Sequence, residues 1–357
     1  MALELLLRTS KLFYEKKFLQ ESGQIFKFLF PTVDIDDTST VLLDEFTDSP
    51  YAVAYRGKDN QAHLRPYQAG SGTLFEPPRA SEYTPIDEKL RDQSVEGTRD
   101  NASFNEAQMR KTNKILNNHA TGHTMTKNKQ AIDMILDGAF YAKGITAADL
   151  GLDEVYARDV ANNLTYDFTA GGATIDEAMT EVLDQIESKG CPMMEVNFLV
   201  GKNWQVAFES DSNVLVKMQA NAANVLVQQN LKPPVWAGVQ GLKLLGIYRP
   251  VGSSTAVNIF TYNPGTPYIA YKGATAAPWI GDDVMCAWSG VSPAYTVYRG
   301  IDVVASNGNK IDRVSGEIAF DSWIEQNPPS ENLRSSTRHL FLRGDINHTA
   351  KSTGTFS

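Results

Sequence analysis

His119 and His123 stand four residues apart in the stretch "HATGH", a spacing that puts both rings on one face of a helix. A zinc hydrolase of the His-Glu-x-x-His type needs a glutamate where Ala120 stands, and Gly122 disfavours the helix itself. The pair therefore reads as two solvated histidines, with His63, His339 and His348 in unrelated segments. Cys191, just ahead of Pro192 at a helix end, and Cys286, inside a strand, read as small core residues. The run Asp34-Ile35-Asp36-Asp37 offers carboxylates to a divalent ion, but its plainer reading is a solvated turn before a strand. Gly70-Ser71-Gly72 is half of a phosphate loop with no Lys-Ser/Thr after it, and "YKGATAAPWIGDD" has the same defect. No Gly-x-Ser-x-Gly elbow occurs, and nothing singles out an acid/base pair among the carboxylates. The residues point to no catalytic or metal chemistry and to no cofactor.

The totals narrow the class further. With 42 Asp+Glu against 33 Lys+Arg the net charge is -9, which argues against a dedicated nucleic-acid reader, and no basic cluster stands out along the chain. Two distant cysteines make no disulfide framework and suit a reducing compartment. Arg8 and Lys11 break the apolar start "MALELLLRTSKLF" before it could serve as a signal-peptide core, and no stretch is long and apolar enough for a membrane span. The expectation is a chain made and kept in a cytoplasm, away from membranes.

The elements that would position any site are mixed. Residues 5–30 are loosely helical with Phe13, Phe18, Phe26 and Phe30 among their apolar positions, and Pro31 stops them. "STVLLDEF" (39–46) reads as a strand and 51–67 as a hairpin. A helical zone from a capping box at Ser103 and Glu106 to about Lys143 carries Met125, Ile132, Ile135, Leu136 and Phe140 on a narrow stripe, weakened at Gly122. "LTYDFTA" (164–170) is a strand. The clearest helix is "TIDEAMTEVLDQIESKG", capped by Thr174 and Glu177, with Gly190 suited to the left-handed position after its end. "MMEVNFLV" (193–200) is a strand, "KNWQVAFES" a helix, and 213–229 another helix. From Val235 the chain is β-rich, through "GLKLLGIY", "AVNIFTYN", "DDVMCAW" and "AYTVYRGIDVV", and "RHLFLRGDIN" is expected to be the last strand.

"YQAGSGTLFEPPRASEYTPID" (67–87) does not fit this pattern. Its glycines and prolines argue against regular structure, yet Tyr67, Phe75 and Tyr83 are more than a linker needs. Such an arm would gain by lying on another subunit.

In order and character the segments resemble the major capsid proteins of tailed double-stranded DNA bacteriophages, in particular the capsid-protein-E family of the phage lambda shell. The apolar arm with "STVLLDEF", the extended stretch "YAVAYRG…LRPYQAGSGTLFEPP", the long helical zone, "MMEVNFLVGKNWQVAFES" with its Gly-Lys turn, and "GVQGLKLLGIYRPVGSSTAVNIFTYN" carry the likeness, which runs over nearly the whole chain. It implies an α+β fold. An N-terminal arm (1–45) leads to an extended β-hairpin loop (46–100) and a peripheral domain with a long spine helix (101–171). An axial domain (172–312) follows, and residues 313–357 return to the peripheral domain. It implies self-assembly into pentamers and hexamers of an icosahedral shell enclosing DNA, in a virion built in the bacterial cytoplasm, with a scaffold, a portal and a decoration protein as partners. Inter-subunit contacts would come from Tyr67, Gly70, Gly72, Phe75, Pro77, Pro78 and Tyr83 of the loop and from Phe13, Phe18, Phe26 and Phe30 of the arm. Lys58 and Lys89 lie where a covalent Lys–Asn cross-link would need a lysine. An acidic wall would repel the packaged DNA rather than bind it. The rival readings are a tail-tube subunit and a hydrolase with an unrecognised carboxylate site.

Overall fold

The computed structural model describes residues 24–45, 71–86, 101–140, 154–155, 158–169, 172–191, 193–211, 214, 238–250, 255–265, 267–269, 275–304, 311–326 and 329–356. The α-helices among them are α1 (Ile25–Leu29), α2 (Asn101–Asp137), α3 (Ile175–Ser188) and α4 (Lys202–Ser210). The strands are β1 (Thr32–Asp36), β2 (Val41–Glu45), β3 (Ser71–Phe75), β4 (Arg79–Ile86), β5 (Ala139–Phe140), β6 (Glu154–Val155), β7 (Asn163–Asp167), β8 (Val196–Val200) and β9 (Leu242–Tyr248). They continue with β10 (Val257–Tyr262), β11 (Val284–Ser289), β12 (Ala294–Arg299), β13 (Ile301–Val304), β14 (Ile311–Val314), β15 (Ala319–Gln326), β16 (Pro329–Arg343) and β17 (Thr349–Thr355).

Two sheets organise the chain. A mixed six-stranded sheet runs β7-β17-β11-β8-β10-β9, and its strands alternate side chains between two cores. Phe198, Ile259, Met285 and Ala287 meet α3 and α4 on one face. Leu199, Phe260, Cys286 and Trp288 point the other way, toward α1 and the C-terminal half of α2. Because both faces are covered, β8 is buried along its whole length and is apolar at every position but Asn197. A five-stranded sheet is built around β16, with order β1-β12-β16-β15 and β4 also paired to β16.

The helices form where their sequences direct. Thr174 and Glu177 complete the capping box of α3, its stripe from Ile175 to Ile186 is buried, and Gly190 takes φ +77°. Helix α4 starts at Gly201, where an added Cβ would lie 2.1 Å from the Gly281 carbonyl oxygen, so glycine alone permits this approach. Trp204 and Phe208 are then buried, and the Trp204 indole N–H donates to the Asp283 carbonyl at 2.9 Å.

Helix α2 is 37 residues long and runs unbroken through Gly122. It begins at Asn101, so Ser103 lies inside its first turn and cannot cap it; it ends at Asp137, before Phe140, which belongs to β5. Gly138 at φ +64° turns the chain. The Arg158 guanidinium donates to the Ile135 and Leu136 carbonyls at 3.0 and 2.6 Å, placing a cation at the negative end of the helix dipole.

Two expectations fail here. Residues 71–75 and 79–86 of the irregular stretch are strands β3 and β4, the latter hydrogen-bonded along β16 despite Pro85, because β16 supplies a long partner edge. The strand ending at Arg343 is not the last: β17 follows, polar in sequence yet inserted between β7 and β11 in the six-stranded sheet, where ladder hydrogen bonds rather than apolar side chains hold it. The hairpin expected at 51–67 and nearly all of the helix at 213–229 lie outside the described residues.

Candidate functional site

Helix α2 meets the protein with two surfaces. Its last turns are apolar, with Ala131, Ile132 and Ile135 fully buried. Further toward the N-terminus the buried face is polar. His119, His123 and Lys127 follow at four-residue spacing, which stacks them on one face of the helix over β4 and β16. The Nε2 atoms of His119 and His123 are hydrogen-bonded to Thr84 Oγ1 at 2.7 Å and Ser335 Oγ at 2.9 Å. His339 of β16 is hydrogen-bonded to Gln130 Oε1 of the helix. The Lys127 ammonium donates to the Glu317 carbonyl at 3.0 Å and the Tyr298 hydroxyl at 3.4 Å, above the Phe26 and Tyr298 rings.

His119 and His123 are thus buried, not solvated. A hydroxyl on the facing strands bonds Nε2 of each ring, which makes their burial tolerable, and His119 Nδ1 is buried with no hydrogen-bond partner among the described residues. His339, read as unrelated to them, joins the same seam. Lys127, Gln130 and Ser335 were missed; the recurrence at 119, 123 and 127 was the available signal, since it marks one face. Burial pushes the His123 imidazole down to about 4, with Lys127 and His119 acting in the same direction. Burial likewise lowers His119 and takes His339 well below its usual value. Lys127 falls to about 7 through burial, partly opposed by Glu317.

The Ser335–His123 hydrogen bond has the form of a nucleophile–base pair. Among the described residues no carboxylate is bonded to that imidazole, and Ser335 is fully buried, out of reach of a substrate. The seam can hold the helix in register on the sheet; it is not built for turnover.

The other chemical candidates are absorbed by structure. Asp34 and Asp36 lie within the exposed strand β1 rather than in a turn before one, because the segment pairs with β12, with Asp34 paired to Arg299 at 3.1 Å and the Asp36 carboxylate accepting from the Thr38 N–H at 3.2 Å. Among the described residues no group of three or more His, Cys, Asp or Glu side chains gathers where a metal ion could be held. Ser71 and Gly72 are strand residues of β3. The Gly281–Asp283 end of "YKGATAAPWIGDD" clamps the start of α4, with the Asp282 carbonyl accepting from the Asn203 N–H at 2.9 Å. Both cysteines are buried thiols, raised by burial, Cys286 to about 12.

The residues expected to touch neighbouring subunits have varied fates. Phe26 and Phe30 are a correction: both are buried in the subunit's own core, Phe30 with its ring centroid 4.9 Å from that of Phe341, because α1 docks on α2 and β16. Gly72 and Phe75 lie in β3 opposite Asp44 and Val41 of β2. Pro77 is buried and Pro78 half-buried. Tyr83 is 62% exposed, its ring 6.0 Å from that of Trp323. Phe13, Phe18, Tyr67, Gly70, Lys58 and Lys89 lie outside the described residues.

A long helix is laid on one sheet, a second mixed sheet is covered by helices on both faces, and the chain returns through both sheets; this fold recurs in solved structures of phage proteins. The chain shares it with the crystal structure of a prophage protein of E. coli CFT073 assigned as a capsid protein, at 15% identity, covering 93% of each chain with a TM-score of 0.58. It shares it also with the capsid of Ralstonia phage GP4, at 10% identity, covering 90% of this chain and 85% of that one with a TM-score of 0.50. No protein-family model matches the chain, and no curated protein matches it by sequence.

Proposed function

We propose that this chain is a major capsid protein, which associates with copies of itself into the pentamers and hexamers of an icosahedral phage shell around double-stranded DNA. The observation that carries the reading is the likeness to the prophage protein over more than nine-tenths of both chains, helix and sheets included. The candidate site agrees with it: the polar side chains that could do chemistry are spent on holding α2 to its sheet. On this reading α2 is the spine, and the six-stranded sheet with α3 and α4 is the centre of the axial domain. The protein acts by assembly rather than catalysis, within a virion put together in the bacterial cytoplasm. A scaffold and a portal are the partners this reading calls for, with a decoration protein as an optional addition to such a shell. An overall charge of -9 suits a wall that encloses DNA without binding it specifically.

Electron microscopy and light scattering of the concentrated protein, alone and with its scaffold, test this. Closed shells or ring-shaped capsomers are expected. Stacked rings growing into tubes would identify a tail-tube subunit instead, and a strictly monomeric particle under every condition would overturn the assembly reading.

A further inference from the structure

The face of the five-stranded sheet turned away from α2 has a composition unlike the rest of this acidic chain. Thr84 of β4 and Ser335 of β16 bond to α2, so their alternate neighbours Arg79, Ser81 and Tyr83, and Arg334, Ser336 and Arg338, point to the opposite face. Arg79 is thereby gathered with the distant Arg334 and Arg338 where the sequence showed no basic cluster.

Two of them are placed at a cost. Arg79 is directly opposite Arg338, and like charges in that position repel. Arg338 has an ion pair at 3.2 Å with Glu76, a side chain 59% exposed and so weakly held. Among the described residues Arg79 donates only to the Asp302 carbonyl and the Ser336 hydroxyl, and no carboxylate of theirs lies within ion-pair distance of it. The Nε atoms of Arg79 and Arg338 are both buried without a hydrogen-bond partner. Arg334 differs: its guanidinium grips Asp321 with two hydrogen bonds while resting over the Trp323 ring. Beside it stands the exposed Tyr83, directly across from Arg334 in the ladder.

We propose that this face is a docking surface for a second copy of the chain, which brings a carboxylate to the Arg79–Arg338 pair and an apolar side chain to Tyr83 and Trp323. The proposal rests on the assembly reading and adds to it where on the subunit a contact forms. Arginine, tyrosine and tryptophan together are the residues that dominate protein–protein contacts. A copy of this chain is itself rich in carboxylates, with 42 Asp+Glu, so its charge complements the patch. A nucleic acid fits less well: Arg334 is already committed to Asp321, and Asp321 and Glu76 would oppose a line of phosphates.

Sedimentation velocity over a range of concentrations, at low and high sodium chloride, tests the idea on the full chain and on Arg79→Gln and Tyr83→Ala. Arg79→Gln relieves the repulsion from Arg338, so its melting temperature should not fall. Its self-association should weaken about tenfold or more, the loss expected of a contact residue, and should lose much of the wild type's salt sensitivity. Tyr83→Ala removes an exposed ring, so it tests the contact independently even if the arginine variant folds poorly; it too should melt as wild type and associate more weakly. Wild-type self-association by both variants would overturn the proposal and leave the assembly reading standing. A wild type that never associates would overturn the assembly reading first. Normal assembly of Arg79→Gln with loss of retention on duplex DNA would assign the face to nucleic acid and likewise overturn the proposal.

Discussion

Lys127→Met tests whether the lysine under the long helix titrates as its surroundings dictate. Burial lowers its ammonium from 10.5 to about 7 in the folded chain, while the unfolded chain keeps it near the ordinary value. Between those values the unfolded state binds more protons, so stability must rise with pH. The sign follows from a folded pKa depressed for a base: the cost is greatest below the folded value and fades as pH climbs toward the unfolded one. From pH 7 to about 8.5, the proton difference integrates to a gain of roughly 1–2 kcal/mol. The window stops there because Cys191 and Cys286, both raised from 9.0 by burial, begin to oppose the gain once their unfolded forms ionise. The histidines of the seam, all lowered, are neutral in both states across most of it. Methionine fills a similar volume but takes the ammonium away from the Tyr298 hydroxyl, while the Glu317 carbonyl keeps its bond from the Thr337 hydroxyl at 2.9 Å; a loss of about 1–3 kcal/mol offsets the removed charge. The informative readout is therefore the slope. Urea denaturation of the unassembled subunit at several pH values should show wild-type stability rising across the window and the variant flat. A variant that keeps the wild-type slope would refute the reasoning, as would a flat wild type.

Ile186→Asp puts an unpaired carboxylate at a fully buried position of α3, and should cost about 3–5 kcal/mol, seen as a lower denaturation midpoint or insoluble protein. Gly201→Ala forces a methyl group against the Gly281 and Asp282 carbonyl oxygens, so the start of α4 must shift; a loss of about 1–3 kcal/mol is expected, and unchanged thermal stability would show that the approach is looser than described.

What the sequence disclosed was what its own neighbourhood determines. Helix α3 declares itself within its seventeen-letter segment, because cap, stripe and terminal glycine all act over a few residues. Helix α4 starts where expected, and β11 shows in Val284–Trp288 the run of apolar residues that a doubly covered strand requires. Phe26 and Phe30 looked free because their partner Phe341 is more than three hundred residues away. His123 looked solvated because Ser335, which satisfies it, lies 212 positions along the chain. Arg79 and Arg338 looked scattered for the same reason. Polar residues were misread wherever a remote strand decided their surroundings, and β17 is the extreme case, since its side chains carry almost no apolar signal of their own.

That strand also governs timing. Among the described residues β7 has β17 as its sole neighbour in the sheet, with Asn163 paired to Lys351, so the earlier strand lacks that partner until the ribosome has delivered residues 349–355. β11 likewise keeps one edge open until then. Contacts of such long sequence separation form slowly, because a large loop must close before any bond rewards it. A nascent chain halted short of Thr349 would hold two unpaired strand edges, the kind of surface that draws partially made chains into aggregates. Completion of the sheet is thus coupled to the synthesis of residues 349–355, and only subunits that have passed that point present finished surfaces to one another.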